Sequence, residues 1–310
     1  MRKYRKMVGI MGLVMIHIIG LTACESAGLN KPLEATAPPV KKEQQEETAV
    51  QKETPTEETA VIQPSGMTLS ERFAVPNQYK RDIYKEGSFG AFVRGYAMQK
   101  DRAKVHLYDG TEKGNQSSAA AVFAMKLGSR DLQQCADSVI RMYAEYYYQS
   151  KQYDHMKFHF VDGFECSYQK WAYGYRVSFE NDKASWKKKA DKHTSYESFE
   201  KYLNVVFAYA STLSLEKECK EVDIANVKIG DVFIKAGSPG HVVMVVDVSS
   251  NAQGKKAVLL AQGYMPAQEF HVITNPLHHE DPWYYQEEMG SPFRTAEYTF
   301  PDSICKRPQY

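Results

Sequence analysis

His241 stands between a glycine-rich turn, Gly237-Ser238-Pro239-Gly240, and an apolar run from Val242 to Val248. A shorter run, Asp231 to Ile234, precedes the turn, so the pattern predicts two strands joined as a hairpin with His241 at the entrance of the second. A ring in that position is fixed by its strand and still lies near the surface, which suits a general base. Such a base needs a nucleophile to deprotonate and a polar group to orient its ring. Cys135, in Gln133-Gln134-Cys135-Ala136-Asp137, is the first candidate nucleophile, because backbone N–H groups at a helix start favour thiolate over thiol. Gln262, at the end of the run Ala257 to Ala261, is the candidate orienter, with Gln268 and His271 as alternatives. Each residue also has a structural reading: His241 as a polar cap on a core strand, Cys135 as a small apolar residue between Leu132 and Val139, and Gln262 as an ordinary strand-end hydrogen bond.

The elements that must position these residues follow from periodicity. Leu132, Ala136, Val139, Tyr143 and Tyr146 recur at three or four residues, which predicts a helix with Ser129 or Asp131 as its N-cap. The two caps differ in consequence. From Ser129, Cys135 falls in the second turn and gains little from the helix terminus; from Asp131 it lies closer to it. A second helix is predicted from about Ser195 to Ser211, with Phe199, Tyr202, Val206, Tyr209 and Leu213 on one face and Thr194-Ser195-Tyr196-Glu197 at capping-box spacing. Strands are expected over Lys104 to Asp109 and Ala119 to Leu127, then in a strand-rich end at Asp231 to Ile234, Val242 to Val248, Ala257 to Ala261 and Glu269 to Ile273. Helices first and an antiparallel sheet last predict an α+β fold.

Residues 1–23 have the form of a secretory leader. Arg2, Lys3, Arg5 and Lys6 precede an apolar run from Met7 to Leu21 that is short for a membrane span, and Leu21-Thr22-Ala23-Cys24 closes it. That ending resembles the lipobox of bacterial lipoproteins, which implies lipidation of Cys24, export, and anchoring to the bacterial cell membrane. Loss of the leader takes the formal charge from +1 to −3. Residues 24–66 are rich in Glu and Pro and nearly free of large apolar side chains, so they are expected to form a disordered tether. Residues 67–310 then form a single globular domain. Its near-neutral charge leaves no footprint for nucleic acid. Lys187-Lys188-Lys189 reads as a solvated loop. Cys135, Cys166, Cys219 and Cys305 allow three complete disulfide pairings, and a nucleophile among them would leave the rest unable all to pair. No Cys or His spacing signals a metal, the adjacent His278-His279 included, and no cofactor is indicated.

Two resemblances extend this reading. Gly230-Asp231-Val232 with Gly240-His241-Val242-Val243-Met244-Val245 is similar to the histidine region of papain-like cell-wall enzymes, the NlpC-type peptidases and the CHAP amidohydrolases, and Gln134-Cys135 followed by Val139 looks like the CHAP nucleophile helix. The order cysteine, histidine, polar orienter agrees, while the interval from Cys135 to His241 is longer than in those compact domains; Glu165-Cys166-Ser167 looks like the NlpC-type nucleophile motif and lies nearer His241, which makes Cys166 the rival nucleophile. This likeness implies a papain-like arrangement of helices on a sheet and a surface-anchored cysteine amidase or peptidase acting on cell-wall peptide. The second resemblance is to a family of bacterial secreted proteins catalogued as a domain of unknown function (DUF4846). It rests on Arg130 to Asp137, Ser195-Tyr196-Glu197 with Lys201 to Asn204, Gly237 to His241, and Leu260 to Gln268, and implies no activity. The alternative function is a non-catalytic envelope-binding or structural lipoprotein, with Tyr143, Tyr146, Tyr147, Tyr148, Trp171, Tyr173 and Tyr175 as candidate contacts for glycan or peptide.

Overall fold

Short helices and strands alternate before the long sheet begins. The computed structural model describes residues 60–278 and 280–310; the leader, Cys24, most of the tether and His279 lie outside the described residues. In chain order come α1 (Leu69–Arg72), β1 (Tyr79–Arg81), α2 (Phe89–Arg94), β2 (Ala119–Val122) and α3 (Cys135–Gln149). Next are β3 (Lys157–His159), β4 (Glu165–Ser167), α4 (Tyr168–Ala172), the hairpin β5 (Tyr175–Glu180) and β6 (Lys183–Lys188), α5 (Tyr196–Tyr209) and α6 (Thr212–Lys217). The rest is mostly strand, with 3-10 turns at Ile224–Asn226 and Gln286–Glu288: β7 (Cys219–Val222), β8 (Val232–Lys235), β9 (His241–Asn251), β10 (Lys256–Gln262), β11 (His271–Ile273), β12 (Tyr284–Tyr285), β13 (Phe293–Arg294), β14 (Thr299–Phe300) and β15 (Cys305–Pro308).

The fold is α+β. Its main antiparallel sheet runs β2-β11-β10-β9-β8-β15-β7, with β1 added to β9 and β12 to β10. β1 and β2 precede the longer helices and still join this sheet, so helices and sheet are less segregated along the chain than the sequence suggests. β9 is the spine of the sheet. Its residues from His241 to Ser249 are all buried, which explains a run of valines without polar alternation. Burying each such side chain favours the fold by roughly 1.5–3 kcal/mol.

The β8–β9 hairpin forms as expected, with Lys235 opposite His241. Gly237, at φ 126°, takes a backbone conformation in the turn that side-chain-bearing residues resist. Two other expectations need correction. Lys104 to Asp109 is not a strand: its backbone makes isolated bridges from His106 to Glu112 and from Leu107 to Gln268. Side chains take the donors a ladder would use, Gln116 Oε1 accepting from Val105 N–H at 3.0 Å and Glu269 Oε2 from His106 N–H at 2.8 Å. The predicted strand over Ala119 to Leu127 ends at Val122. The helix near residue 195 begins with Ser195 as N-cap, accepting from Ser198 N–H; Glu197 pairs with Lys201 in place of closing a capping box.

Candidate functional site

α3 begins later than either predicted cap. Gln134 is the N-cap, so Cys135 is the first helical residue and lies nearer the helix terminus than either predicted cap would place it. Asp137 Oδ2 accepts from Gln134 N–H at 3.2 Å and holds this start. Asp131, expected to cap the helix, is instead a bridge, its Oδ1 accepting from Gln134 Nε2 at 2.9 Å and from Ala267 N–H at 2.7 Å. One carboxylate oxygen thus joins the helix start to the loop that follows Gln262. Gly263 allows the close approach, since a Cβ there would lie 2.3 Å from Ser138 Oγ and 2.9 Å from the Gln134 carbonyl oxygen.

A bulge brings Gln262 to His241. Between Ser250 and Asp247 the strands pair without interruption, but the register shifts between Leu259 and Leu260, so that Leu260 lies opposite Val245 and Ala261 opposite Met244. Continued by one residue, this register sets Gln262 across from Val243. Val243 and His241 share a face because side chains alternate, so Gln262 meets His241 as a diagonal neighbour. Without the bulge, Gln262 would oppose Met244 and point to the other face. The contact is direct, with His241 Nε2 2.8 Å from Gln262 Oε1.

The network continues away from the ring. Gln262 Nε2 donates to Glu297 Oε2 at 2.7 Å, and Glu297 Oε1 receives Lys113 Nζ at 2.6 Å. Lys113 also donates to Ser118 Oγ at 2.8 Å and to the Asn115 carbonyl. Around the imidazole stand Tyr264, Tyr298 and Phe300, with ring centroids 4.6, 4.9 and 6.1 Å away. His241 is only 2% exposed and Cys135 7%.

Cys135 lies beside the strand that carries His241. α3, which Cys135 opens, packs against that strand and against β10, the strand of Gln262; no hydrogen bond joins the Cys135 sulfur to the His241 ring among the described residues. Burial pushes the thiol up to about 11, with the charge of Asp137 adding to it and the backbone N–H groups of Ala136, Val242 and Cys135 opposing it. Burial also pulls His241 down to about 4, against the Gln262 hydrogen bond and the charge of Glu297. Asp137 is pushed well up by its own burial. At neutral pH Cys135 is therefore a thiol and His241 a neutral imidazole.

The alternatives stand apart. Cys166 lies on β4 opposite Phe158, its carbonyl receives the Tyr202 hydroxyl at 2.7 Å, and burial alone pushes its thiol up. It belongs to the aromatic core. All four cysteines of the described domain are free thiols. His271 pairs through its backbone with Gln262, but its Nδ1 is 2.9 Å from the Glu269 carbonyl and its buried Nε2 has no partner among the described residues. Gln268 is buried with its Nε2 unpartnered among the described residues. Neither orients His241. The side-chain amide of Gln134 is engaged by Asp131. The candidate aromatic contacts divide: Tyr143, Tyr147 and Trp171 are buried, whereas Tyr173 and Tyr175 are exposed.

Sequence reasoning missed Glu297, Lys113 and the covering role of Tyr264 and Tyr298. Lys113 sits in a glycine-flanked loop and Glu297 near the end of the chain, where no periodic pattern marks them. Gly263, directly after Gln262, was the one signal of a close approach.

The chain matches the family described as Domain of unknown function (4846) over residues 69–307 and belongs to it. The curated proteins and the solved structures give no match.

Proposed function

We propose that the domain is a papain-like cysteine amidase or peptidase, exported and anchored through lipidated Cys24, that acts on cell-wall peptide. The observation that carries the proposal is a convergence at one end of β9: the His241 ring is bonded to Gln262, and the start of α3, where Cys135 lies, packs against Gly263, the residue after that glutamine. With Nε2 engaged by Gln262, Nδ1 is the ring nitrogen left to act as base. His241 takes the Cys135 proton, and the thiolate adds to the substrate carbonyl. Backbone N–H groups at the start of α3 meet the oxyanion. Return of the proton to the departing amine breaks the C–N bond and leaves a thioester. Water, deprotonated by His241, then hydrolyses the thioester and restores the thiol. The leader and the Pro- and Glu-rich stretch supply the tether that this location needs.

The test is release of peptide fragments or amine from purified wall material by the wild-type protein, compared with Cys135→Ala and His241→Ala. Loss of release in both variants, with Cys166→Ala still active, supports the proposal. Release from the Cys135 and His241 variants equal to that of the wild type would sink it.

The depth of burial favours a second reading, a non-catalytic envelope-binding or structural lipoprotein. A buried thiol held near 11 is an inert one. That reading expects wall binding that survives both substitutions, with no fragments released by the wild type.

A further inference from the structure

Building on the cysteine–histidine reading, we infer that Glu297, held by Lys113, is a positioning residue that sets the tautomer of His241 through the Gln262 amide. The argument depends on which atoms can donate. An amide has one end that accepts and one that donates, and the two look alike in shape. Gln262 lies between a ring nitrogen at 2.8 Å and a carboxylate oxygen at 2.7 Å. A carboxylate accepts only, so the NH₂ end of Gln262 must face Glu297 and its carbonyl end must face the ring. That carbonyl in turn can only accept, which places the imidazole proton on Nε2 and the lone pair on Nδ1.

Gln262 alone cannot impose this choice. Flipped by half a turn, the same amide would present N–H to Nε2 and select the opposite tautomer, with the proton on Nδ1 and no base toward the thiol. Glu297 is what distinguishes the two orientations, and its own placement is well determined. Lys113 has three donors, and the structure gives each one an acceptor: Glu297 Oε1, Ser118 Oγ and the Asn115 carbonyl. The ammonium side chain is 7% exposed and the carboxylate 13%, so the pair is shielded from water on both sides. Asn115 Nδ2, at 3.3 Å, adds a further donor to the same carboxylate oxygen. Glu297 also precedes Tyr298, one of the rings against His241, in a turn closed by Thr295, whose N–H donates to the Tyr298 carbonyl at 2.8 Å. One short turn therefore orients the histidine from behind and covers it from the side.

The experiment is nitrogen-15 NMR of labelled histidines in the full-length protein, read together with turnover on wall peptide. The wild type is expected to show His241 as the Nε2–H tautomer. Glu297→Gln keeps the shape but lets either amide orientation form, so the Nδ1–H share should rise about tenfold and kcat should fall by about tenfold or more with KM little changed. The double variant Lys113→Met with Glu297→Leu removes both charges together, leaves no unpaired buried ion, and should show the same tautomer change. An unchanged tautomer in either folded variant would overturn the inference. A tautomer change without cleavage by the wild type would support the positioning role and sink only the hydrolase reading.

Discussion

The two ends of β9 carry buried polar side chains of opposite design. Asp247, fully buried, is clamped by Arg81 and Arg94, each at 2.7 Å, and takes Val248 N–H at 2.8 Å. Both of its oxygens are met by full charges, and through them β1 and α2 are fixed to the sheet. His241, at the entrance of the same strand, has one ring nitrogen bonded to a neutral amide and the other left without a protein hydrogen bond among the described residues. Aromatic rings surround it in place of charges. A fully matched buried charge has nothing left to offer a ligand, so it serves the fold. A buried group left half-matched is costly to keep and leaves one hydrogen-bonding position for a partner.

Four predictions test this contrast, beginning with the largest expected effect. His241→Ala should lower turnover on wall peptide by on the order of 10³-fold or more while the melting temperature stays within a few degrees; a large loss of stability would make the histidine a structural residue like Asp247. Asp247→Ala should do the reverse. Stranding two arginines should cost about 3–5 kcal/mol in urea unfolding, and a cost below about 1 kcal/mol would show that the clamp adds little to the fold.

The third prediction is a pH dependence. Burial lowers His241 from an ordinary value of 6.5 to about 4, so the unfolded chain takes up a proton before the folded one does. The stability present above pH 6.5 is lost as pH falls toward 4, by about 3 kcal/mol for this residue. His271, lowered to about 4 for the same reason, adds a similar loss. Denaturant titrations at pH 7 and pH 4 should show a smaller acid loss in His241→Gln than in the wild type, and an equal loss would contradict the assigned burial. The smallest expected effect is at Gly263. An added methyl must push aside Ser138 and the Gln134 carbonyl, so Gly263→Ala should cost about 1–3 kcal/mol and reduce turnover by moving α3 away from Gln262; full activity would show that this approach has slack.

Much of the site was legible because it is written in local pattern. A glycine turn followed by valines marks the strand of His241, and a three-to-four spacing marks the helix of Cys135. The hairpin partner of that strand leads to Gln262. The errors arose where distant residues decide a local outcome. Asp131 looked like a helix cap but is drawn to Ala267, far along the chain, and this leaves Gln134 to start the helix. Lys104 to Asp109 has strand-like residues, yet side chains from Gln116 and Glu269 occupy its backbone donors.

By itself the sequence determined the periodicities, the order of cysteine, histidine and glutamine, and the apolar spine of β9, because each depends on neighbours a few residues apart. Tertiary structure alone decided that a one-residue bulge near Leu260 turns Gln262 toward His241. It also decided that Cys135 opens its helix, and that Glu297 and Lys113 meet behind the glutamine. The physical reason is range. Burial, charge pairing and strand register are properties of packed neighbours, and a strand shifted by a single residue presents the opposite set of side chains.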